Sequence, residues 1–198
     1  YSDITCLHTA IRQATGLVTF HGPMPVSDII KNDFDPVSAQ LFKQLFDPTN
    51  LIYSESISPL TVYREGEASG KITGGNLSLL VQTLGTPYEI CTKDKLLFIE
   101  DIGEEPYRVD GMMNQLRLAG KLKDAAGIII GDFAEAEPER QPSLRLEDIW
   151  KHYVRNYKKP VIAGFRIGHC FPHFSIPLGV KATLSSRTKT LQLSPGVR

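Results

Sequence analysis

Along the middle of the chain, continuous apolar runs typical of buried strands alternate with apolar residues at helical spacing. Residues 96–99 form a continuous apolar run of the kind that a sheet buries on both faces. Pro106 then marks a helix start, and the apolar residues after it recur at helical spacing: Val109, Met112, Met113 and Leu116. Because strand and helix patterns alternate in this way, we expect an α/β layer with parallel strands.

Further elements are predicted on both sides of this segment. Helices are expected at residues 3–14, 36–46, 77–84, 106–119 and 146–157, and strands at residues 17–20, 96–100, 127–130 and 161–165. Residues 51–65 predict one or two β segments, and residues 180–193 predict an antiparallel, hairpin-like tail. Residues 66–75 contain four glycines and predict turns.

The first fifty residues contain two of the predicted helices. The first is expected to bury Ile4, Leu7 and Ile11 along one face. The second starts at Asp35 and Pro36, a cap followed by an N1 proline, and its predicted buried stripe is Val37, Leu41, Leu45 and Phe46. Because the pattern turns to β after this helix, we expect a domain boundary in or just after the fifties.

Composition excludes several classes of protein. The chain has 198 residues with ordinary globular fractions, which argues against disorder and coiled coil. Twenty-two basic and 22 acidic side chains give zero net charge, so nothing drives a general attraction to nucleic acid or anionic membranes. The apolar runs are far shorter than the roughly 20 residues that a membrane helix needs. Three cysteines without CxxC spacing argue against a disulfide framework and favour a reducing compartment.

A cluster of carboxylates follows the apolar strand at 96–99, where sites gather in open α/β sheets. Its members are Glu100, Asp101, Glu104 and Glu105. Glu104 and Glu105 are most simply interpreted as acids that favour the positive end of the helix dipole. Glu100 stands directly at the predicted strand end and is the candidate for chemistry.

Three residues together predict a hydrolase. Ser2 lies at a helix N-terminus, where backbone N–H groups favour a developing oxyanion, although a serine there is usually only a cap. His169 lies in a loop after a strand and Glu100 at the end of another. A nucleophile needs a base, and the base needs a group that fixes its tautomer. The order Ser, Glu, His occurs among known triads.

Other kinds of site have weaker support. His169 and His173 have the i, i+4 spacing of a zinc pair, but Pro172 between them argues against the helix that such a pair needs. Cys170 next to His169 would point away from it on an extended chain. The glycines at 66–75 form no dinucleotide or phosphate-loop motif. We therefore expect neither a metal nor an organic cofactor.

Several stretches together resemble the LD-carboxypeptidase family of serine peptidases, which includes the microcin C self-immunity hydrolases. They are YSDIT at 1–5, TFHGPM at 19–24, GGNLSLL at 74–80, GTPYE at 85–89, LLFIEDIGEEPYRVD at 96–110, GIIIGDF at 127–133, GH at 168–169 and PLGVKATL at 177–184. These stretches span the chain in the family's order. Gly111 and Cys170 depart from residues that are common in the family and leave substrate details open.

The resemblance implies roles and a domain plan. Ser2 would be the nucleophile, Glu100 and His169 the other triad members, and the backbone N–H of Asp3 one oxyanion donor. Residues 1–56 would be the C-terminal part of an N-terminal flavodoxin/Rossmann-like parallel-sheet domain that carries the nucleophile. Residues 57–198 would be a C-terminal mixed β/α domain. We expect the chain to be a fragment that lacks the N-terminal part, which would supply the other oxyanion donor.

The resemblance also implies an activity. It is cytoplasmic release of terminal D-alanine from murein tetrapeptides during peptidoglycan recycling, by a homodimer without a cofactor. Arg108 is a weak candidate for the contact to the substrate carboxylate, and it could equally pair with the nearby acids. The alternatives are hydrolysis of peptidyl or aminoacyl nucleotides, as in the microcin branch, and a non-catalytic module that binds peptidoglycan fragments.

Overall fold

The computed structural model describes residues 1–30, 34–138 and 141–198. The helices are α1 (Ile4–Thr15), α2 (Pro36–Phe42), α3 (Leu77–Gln82), α4 (Pro106–Leu118), α5 (Lys121–Asp124) and α6 (Leu146–Tyr153). The strands are β1 (Thr19–His21), β2 (Leu51–Tyr53), β3 (Thr61–Arg64), β4 (Glu67–Asn76), β5 (Lys95–Ile102), β6 (Gly127–Ala134), β7 (Val161–Ala163), β8 (Ile176–Leu178), β9 (Lys181–Ser185) and β10 (Thr190–Leu193). Short π and 3₁₀ turns lie at Pro25–Ile29 and Lys43–Leu45.

An eight-stranded mixed sheet forms the centre of the fold, in the order β2-β10-β9-β4-β5-β6-β7-β3. Strands β4 to β7 are parallel, as the alternating pattern predicts, and the remaining strand pairs in this sheet are antiparallel. The predicted tail forms the β9–β10 pair. The α/β class with parallel and antiparallel strands is therefore confirmed.

Both faces of the sheet are buried. Leu96 and Phe98 of β5 pack into the core on one face, and Leu97 and Ile99 pack into the core on the other face. The second core also contains Val109, Met113 and Leu116 of α4, with Met112 partly buried against it. This confirms that residues 96–99 are a strand buried on two sides and that α4 lies on the sheet.

The prediction of turns at residues 66–75 is wrong for all but Gly66, because residues 67–75 belong to the ten-residue strand β4. Its glycines reflect close packing. A Cβ atom on Gly74, whose φ is +137°, would lie 1.8 Å from the Phe98 carbonyl oxygen. A Cβ atom on Gly75, whose φ is +147°, would lie 2.6 Å from Thr5 Oγ1. The backbone of β4 thus approaches β5 and α1 where no other side chain fits.

The predicted buried face of the first helix is wrong. In α1 the buried residues are Thr5, His8 and Thr9, whereas Leu7 is 55% exposed, and Ile4 and Ile11 are exposed as well. The physical reason is that the packed face of α1 meets the glycine-rich end of β4, where Thr5 fills the space left by Gly75 and accepts a hydrogen bond from Asn76 N.

In the segment after Asp35 the predicted buried stripe is correct only in part, because Leu41 packs partly buried against the core whereas Val37 is exposed. The Asp35 carboxylate caps α2 as predicted, accepting from Ser38 N at 2.7 Å. Phe46 is 79% exposed, and Ser38 and Gln44 are buried in its place. Both polar residues find partners: Ser38 Oγ accepts from His173 N, and Gln44 Nε2 donates to Ser175 O. The cause of this orientation is thus tertiary hydrogen bonding.

The first fifty residues contribute one strand among those described there. Strand β1 pairs antiparallel with β8, outside the large sheet. Strand β2 pairs with β10 inside the large sheet, so residues 51–53 share a sheet with elements beyond residue 57. The boundary at residue 56 remains a prediction. No helix in the described part of the chain is long and apolar enough to cross a bilayer.

Candidate active site

Ser2 occupies a sharp turn immediately before α1. Its φ of +63° lies in the left-handed region, which is uncommon for a residue with a side chain and is typical of functional sites. The Ser2 carbonyl accepts from Thr5 N at 2.9 Å, and Asp3 is the N-cap residue of α1 without a side-chain cap bond. The side chain of Ser2 is therefore presented at the positive end of a helix, beside the N–H groups of its first turn.

The start of α1 is fixed to β4. Thr5 is buried, and its Oγ1 accepts from Asn76 N at 3.0 Å, at the carboxyl end of the strand. Gly75 leaves the space that Thr5 fills. This contact sets the position of Ser2 relative to the ends of the parallel strands, where sites form in open α/β sheets.

Glu100 lies within β5, which extends beyond the predicted end at residue 100 to Ile102. The pairing of β5 with β6 is irregular between Ile99 and Asp101, so two consecutive carboxylates have different surroundings. Asp101 accepts from Asn76 Nδ2 at 2.8 Å and from Ser78 N at 2.9 Å, which ties β5 to the start of α3. Glu100 is fully buried, and burial raises its pKa.

His169 is hydrogen-bonded to this buried carboxylate. The distance from His169 Nδ1 to Glu100 Oε2 is 2.8 Å. A carboxylate at Nδ1 selects the tautomer with a proton on that nitrogen and leaves Nε2 as the basic atom. The His169 ring centroid lies 4.4 Å from that of Tyr1, the residue before Ser2. The structure thus brings two of the three predicted residues, Glu100 and His169, into direct contact, and the third, Ser2, directly follows the tyrosine whose ring packs against His169.

The loop that carries His169 is held by two neighbours. Gly168 has φ +129°, and a Cβ atom there would lie 2.7 Å from Glu100 Oε2. His173 Nδ1 is 2.6 Å from the Gly168 carbonyl, so this nitrogen carries the proton and donates. His173 is fully buried, and burial lowers its pKa to about 4, which keeps the ring neutral. The loop is irregular, as predicted.

The other predicted candidates have simpler surroundings. Arg108 is exposed on α4 and pairs with Glu104 at 3.3 Å, the ion-pair arrangement anticipated as its alternative role. Glu105 is the residue that precedes α4 as its N-cap. Cys170 is buried, and burial raises the pKa of its thiol to about 12, which disfavours a thiolate nucleophile. Among the described residues, no group of histidine, cysteine and carboxylate side chains is arranged to hold a metal ion.

Three further residues surround the Glu100–His169 pair and were not predicted. His21, at the end of β1, has Nε2 3.9 Å from Glu100 Oε1. The Tyr1 hydroxyl donates to Asp28 Oδ2 at 2.5 Å, and Asp28 Oδ2 also accepts from Met24 N. The available signal was the stretch at 19–24, whose histidine, glycine and proline end a strand. Nothing local links that stretch to Glu100.

We expect stability to fall in acid because buried histidines must gain protons on unfolding. Burial lowers the pKa of His8 and His173 to about 4 and that of His21 well below its usual 6.5. The unfolded state therefore binds more protons between about pH 6.5 and pH 4, and the free energy of unfolding decreases as pH falls. The raised pKa values of Glu100 and Asp132 act oppositely, since the folded state then binds the extra protons, but two carboxyls oppose three imidazoles.

Denaturant titrations between pH 4.5 and 7 would measure this slope. His8→Gln should make it shallower, because it removes one of the three imidazoles. Gln13→Ala on the same helix removes no titrating group and should lower stability equally at each pH. A free energy of unfolding that stays constant over this range would contradict the assignment of neutral, buried rings.

The comparisons with known proteins agree with this fold. The profile of the LD-carboxypeptidase C-terminal domain matches residues 69–184, which is more than half of the chain. The chain therefore belongs to the LD-carboxypeptidase family.

Relatives and solved structures add detail. The chain is 52% identical over 198 residues to the probable murein peptide carboxypeptidase of Bacillus subtilis (strain 168), covering 100% of this chain and 62% of that protein. It is 26% identical to the microcin C7 self-immunity protein MccF of Escherichia coli, covering 98% and 64%. The crystal structure of muramoyltetrapeptide carboxypeptidase from Oxalobacter formigenes superposes with a TM-score of 0.83 at 29% identity, covering 98% and 66%. The chain thus spans about three fifths of the length of the curated relatives it matches.

Proposed function

We propose that the protein is a serine carboxypeptidase that cleaves the L,D peptide bond before the terminal D-alanine of murein tetrapeptides. One observation carries the proposal. A fully buried glutamate holds the Nδ1 of a histidine at 2.8 Å, and the ring of that histidine lies 4.4 Å from the ring of Tyr1, which directly precedes a serine in a strained turn at a helix start. This is the set of groups that acyl transfer needs: a nucleophile, a base, a group that orients the base and N–H donors for the oxyanion.

The mechanism begins with Ser2. Its hydroxyl gives its proton to His169 Nε2 as Oγ attacks the carbonyl carbon of the scissile bond. Glu100 stabilises the imidazolium through the Nδ1 contact. The negative charge on the substrate oxygen is met by the N–H of Asp3 at the positive end of α1. His169 then returns its proton to the amine of the departing D-alanine, which leaves an acyl-serine.

The second half of the reaction repeats these steps with water. His169 takes a proton from water, the hydroxide attacks the ester carbonyl, and the proton passes back to Ser2 Oγ as the murein tripeptide leaves. In this scheme Glu100 stays ionised throughout. No step needs a metal or an organic cofactor.

The remaining expectations belong to this proposal. Arg108 would contact the terminal carboxylate of the substrate, which requires it to leave Glu104, a move that its exposure permits. We propose cytoplasmic trimming of recycled murein peptides by a homodimer, in keeping with the family to which the chain belongs. The similarity to a microcin self-immunity protein supports a second candidate, hydrolysis of peptidyl or aminoacyl nucleotides by the same triad.

The test is D-alanine release from UDP-MurNAc-tetrapeptide by the protein expressed from its complete reading frame. We expect stoichiometric D-alanine and tripeptide. A folded protein that releases no D-alanine but cleaves an aminoacyl sulfamoyl nucleoside would replace the first candidate with the second. A folded protein that cleaves neither and fails to react with a fluorophosphonate would indicate a binding module.

A further inference from the structure

Glu100 uses only one of its two oxygens in the contacts described so far. Oε2 is bonded to His169, whereas Oε1 has no hydrogen-bond partner in the described part of the chain, although the side chain has 0% exposure. A buried carboxylate oxygen without a donor disfavours the ionised form. The proposed mechanism needs Glu100 ionised, so Oε1 requires a donor.

His21 is placed to be that donor. Its side chain also has 0% exposure, and neither ring nitrogen has a hydrogen-bond partner among the described residues. The distance from His21 Nε2 to Glu100 Oε1 is 3.9 Å, about 1 Å longer than a typical N–H···O bond. Two unpaired polar atoms therefore face each other inside the protein, and a small movement of either side chain joins them.

The ring of His21 is fixed in this orientation by its neighbours. His21 pairs with Ile176 in the β1–β8 ladder, which anchors its backbone. Its ring packs edge-on against Phe98, with centroids 5.1 Å apart at 77°. Phe98 lies two residues before Glu100 on the same strand, so the ring and the carboxylate rest against one surface.

His21 is neutral in this environment. Burial lowers its pKa well below the usual value, so the ring holds one proton and can make one donated bond. The titratable groups around it are the Glu100 carboxylate from β5, the imidazoles of His169 and His173 from the 165–173 loop, His8 from α1, and the phenol and amino nitrogen of Tyr1. Glu100 is the acceptor that lacks a donor.

We propose that His21 is a positioning residue of the triad, which donates Nε2–H to Glu100 Oε1 and keeps that carboxylate ionised and aimed at His169. The inference rests on the proposed function. With this bond, each oxygen of Glu100 accepts from one imidazole: Oε1 from the neutral His21 and Oε2 from His169. When His169 gains a proton during the reaction, the His21 bond holds the carboxylate in place.

Loss of the His21 donor should change the pH dependence of activity in one direction. With Oε1 unpaired, Glu100 becomes a stronger base, and the Glu100–His169 pair takes up a proton at higher pH. Because the active form needs His169 unprotonated, the acid limb of kcat/KM should move to higher pH. The effect should fall on kcat, since the His21 side chain is fully buried and out of reach of a bound substrate.

Two amide substitutions isolate the donor. In His21→Gln the amide nitrogen can occupy the place of Nε2, whereas in His21→Asn it reaches only the place of Nδ1. We expect kcat for D-alanine release to fall about 10- to 100-fold in His21→Asn and in His21→Phe, as for outer-shell partners of metal ligands. We expect His21→Gln to recover most of that loss with the acid limb near that of the parent.

The second readout does not depend on activity. In a Ser2→Ala background, ¹⁵N NMR of the imidazoles follows the titration of the Glu100–His169 pair directly. Its midpoint should rise in His21→Asn and His21→Phe but stay unchanged in His21→Gln. Equal midpoints and equal kcat in folded His21→Phe and parent protein would overturn the inference.

The two readouts separate this inference from the proposed function. If the parent releases no D-alanine but the NMR midpoint shifts as stated, the proposed substrate is wrong and the role of His21 stands. If the parent is active and the triad variants are inactive while His21→Phe changes neither kcat nor the midpoint, His21 is only a packed residue. If His21→Phe does not fold, the comparison of His21→Gln with His21→Asn decides in the same way.

Discussion

Ser2→Ala is expected to lower kcat/KM for D-alanine release by about 10⁴- to 10⁶-fold, the range known when a triad nucleophile is removed. The substitution deletes the oxygen that forms the acyl-enzyme and leaves the Glu100–His169 bond intact. Residual hydrolysis then comes only from binding and oxyanion contacts. Labelling of the protein by a fluorophosphonate should disappear completely.

The folded state should survive this change. Ser2 is partly exposed at the start of α1, and its backbone carbonyl, not its side chain, makes the bond to Thr5 N. Ser56→Ala, at an exposed loop serine, is the control and should retain full activity and labelling. Activity within tenfold of the parent in a folded Ser2→Ala protein would remove Ser2 from the mechanism and leave the histidine–glutamate pair without its nucleophile.

Gly168→Ala is expected to lower activity strongly by displacing Glu100 or the loop that carries His169. The new Cβ atom would lie 2.7 Å from Glu100 Oε2 and 2.9 Å from Glu100 Cβ, at a φ of +129° that side chains rarely adopt. The loop or the carboxylate must move, and either movement breaks the 2.8 Å bond to His169. We expect a loss of at least about 100-fold in kcat, as for a misplaced catalytic group, and about 1–3 kcal/mol of stability from backbone strain.

Gly111→Ala is the matched control for this prediction. Gly111 lies inside α4, and a Cβ atom there would meet nothing within 4 Å. Alanine should therefore leave activity unchanged and stabilise the helix by about 0.5–1 kcal/mol. Thermal unfolding and D-alanine release measured on both variants would show the contrast. Full activity in Gly168→Ala would mean that Glu100 does not orient His169.

The local pattern of apolar residues was enough to predict those helices and strands in which that pattern follows a single clear period. Residues 96–99, the helix after Pro106 and the β9–β10 tail were predicted within a few residues of their observed bounds. The prediction failed at β4, because glycine usually signals a turn. In β4 the glycines are required by close contacts with the carbonyl of Phe98 and the side chain of Thr5. Both residues are distant in sequence, so the residues near the glycines could not reveal these contacts.

In the site, too, some residues could be predicted from local sequence and others depend on tertiary contacts. The bond between Glu100 and His169 agrees with the pairing that their positions after strands suggested, and the role of Ser2 remains a prediction with supporting geometry. His21 was not predicted as a site residue, and His173 was considered only as a zinc ligand, because the roles of both depend on tertiary contacts. His21 approaches Glu100 from 79 residues away in sequence, and His173 acts through a backbone carbonyl.

The two elements that carry Glu100 and His169 differ in how readily they open, so we expect the two halves of the site to exchange with solvent at different rates. Glu100 belongs to a central strand with parallel neighbours on both sides, so its surroundings open only when the sheet itself unfolds. His169 belongs to an irregular segment with few backbone bonds of its own. Amide protons of β5 should therefore exchange with solvent orders of magnitude more slowly than those of the 168–172 segment. The site would then lose activity through local opening around His169, under conditions in which the amides of β5, the strand that carries Glu100, are still protected from exchange.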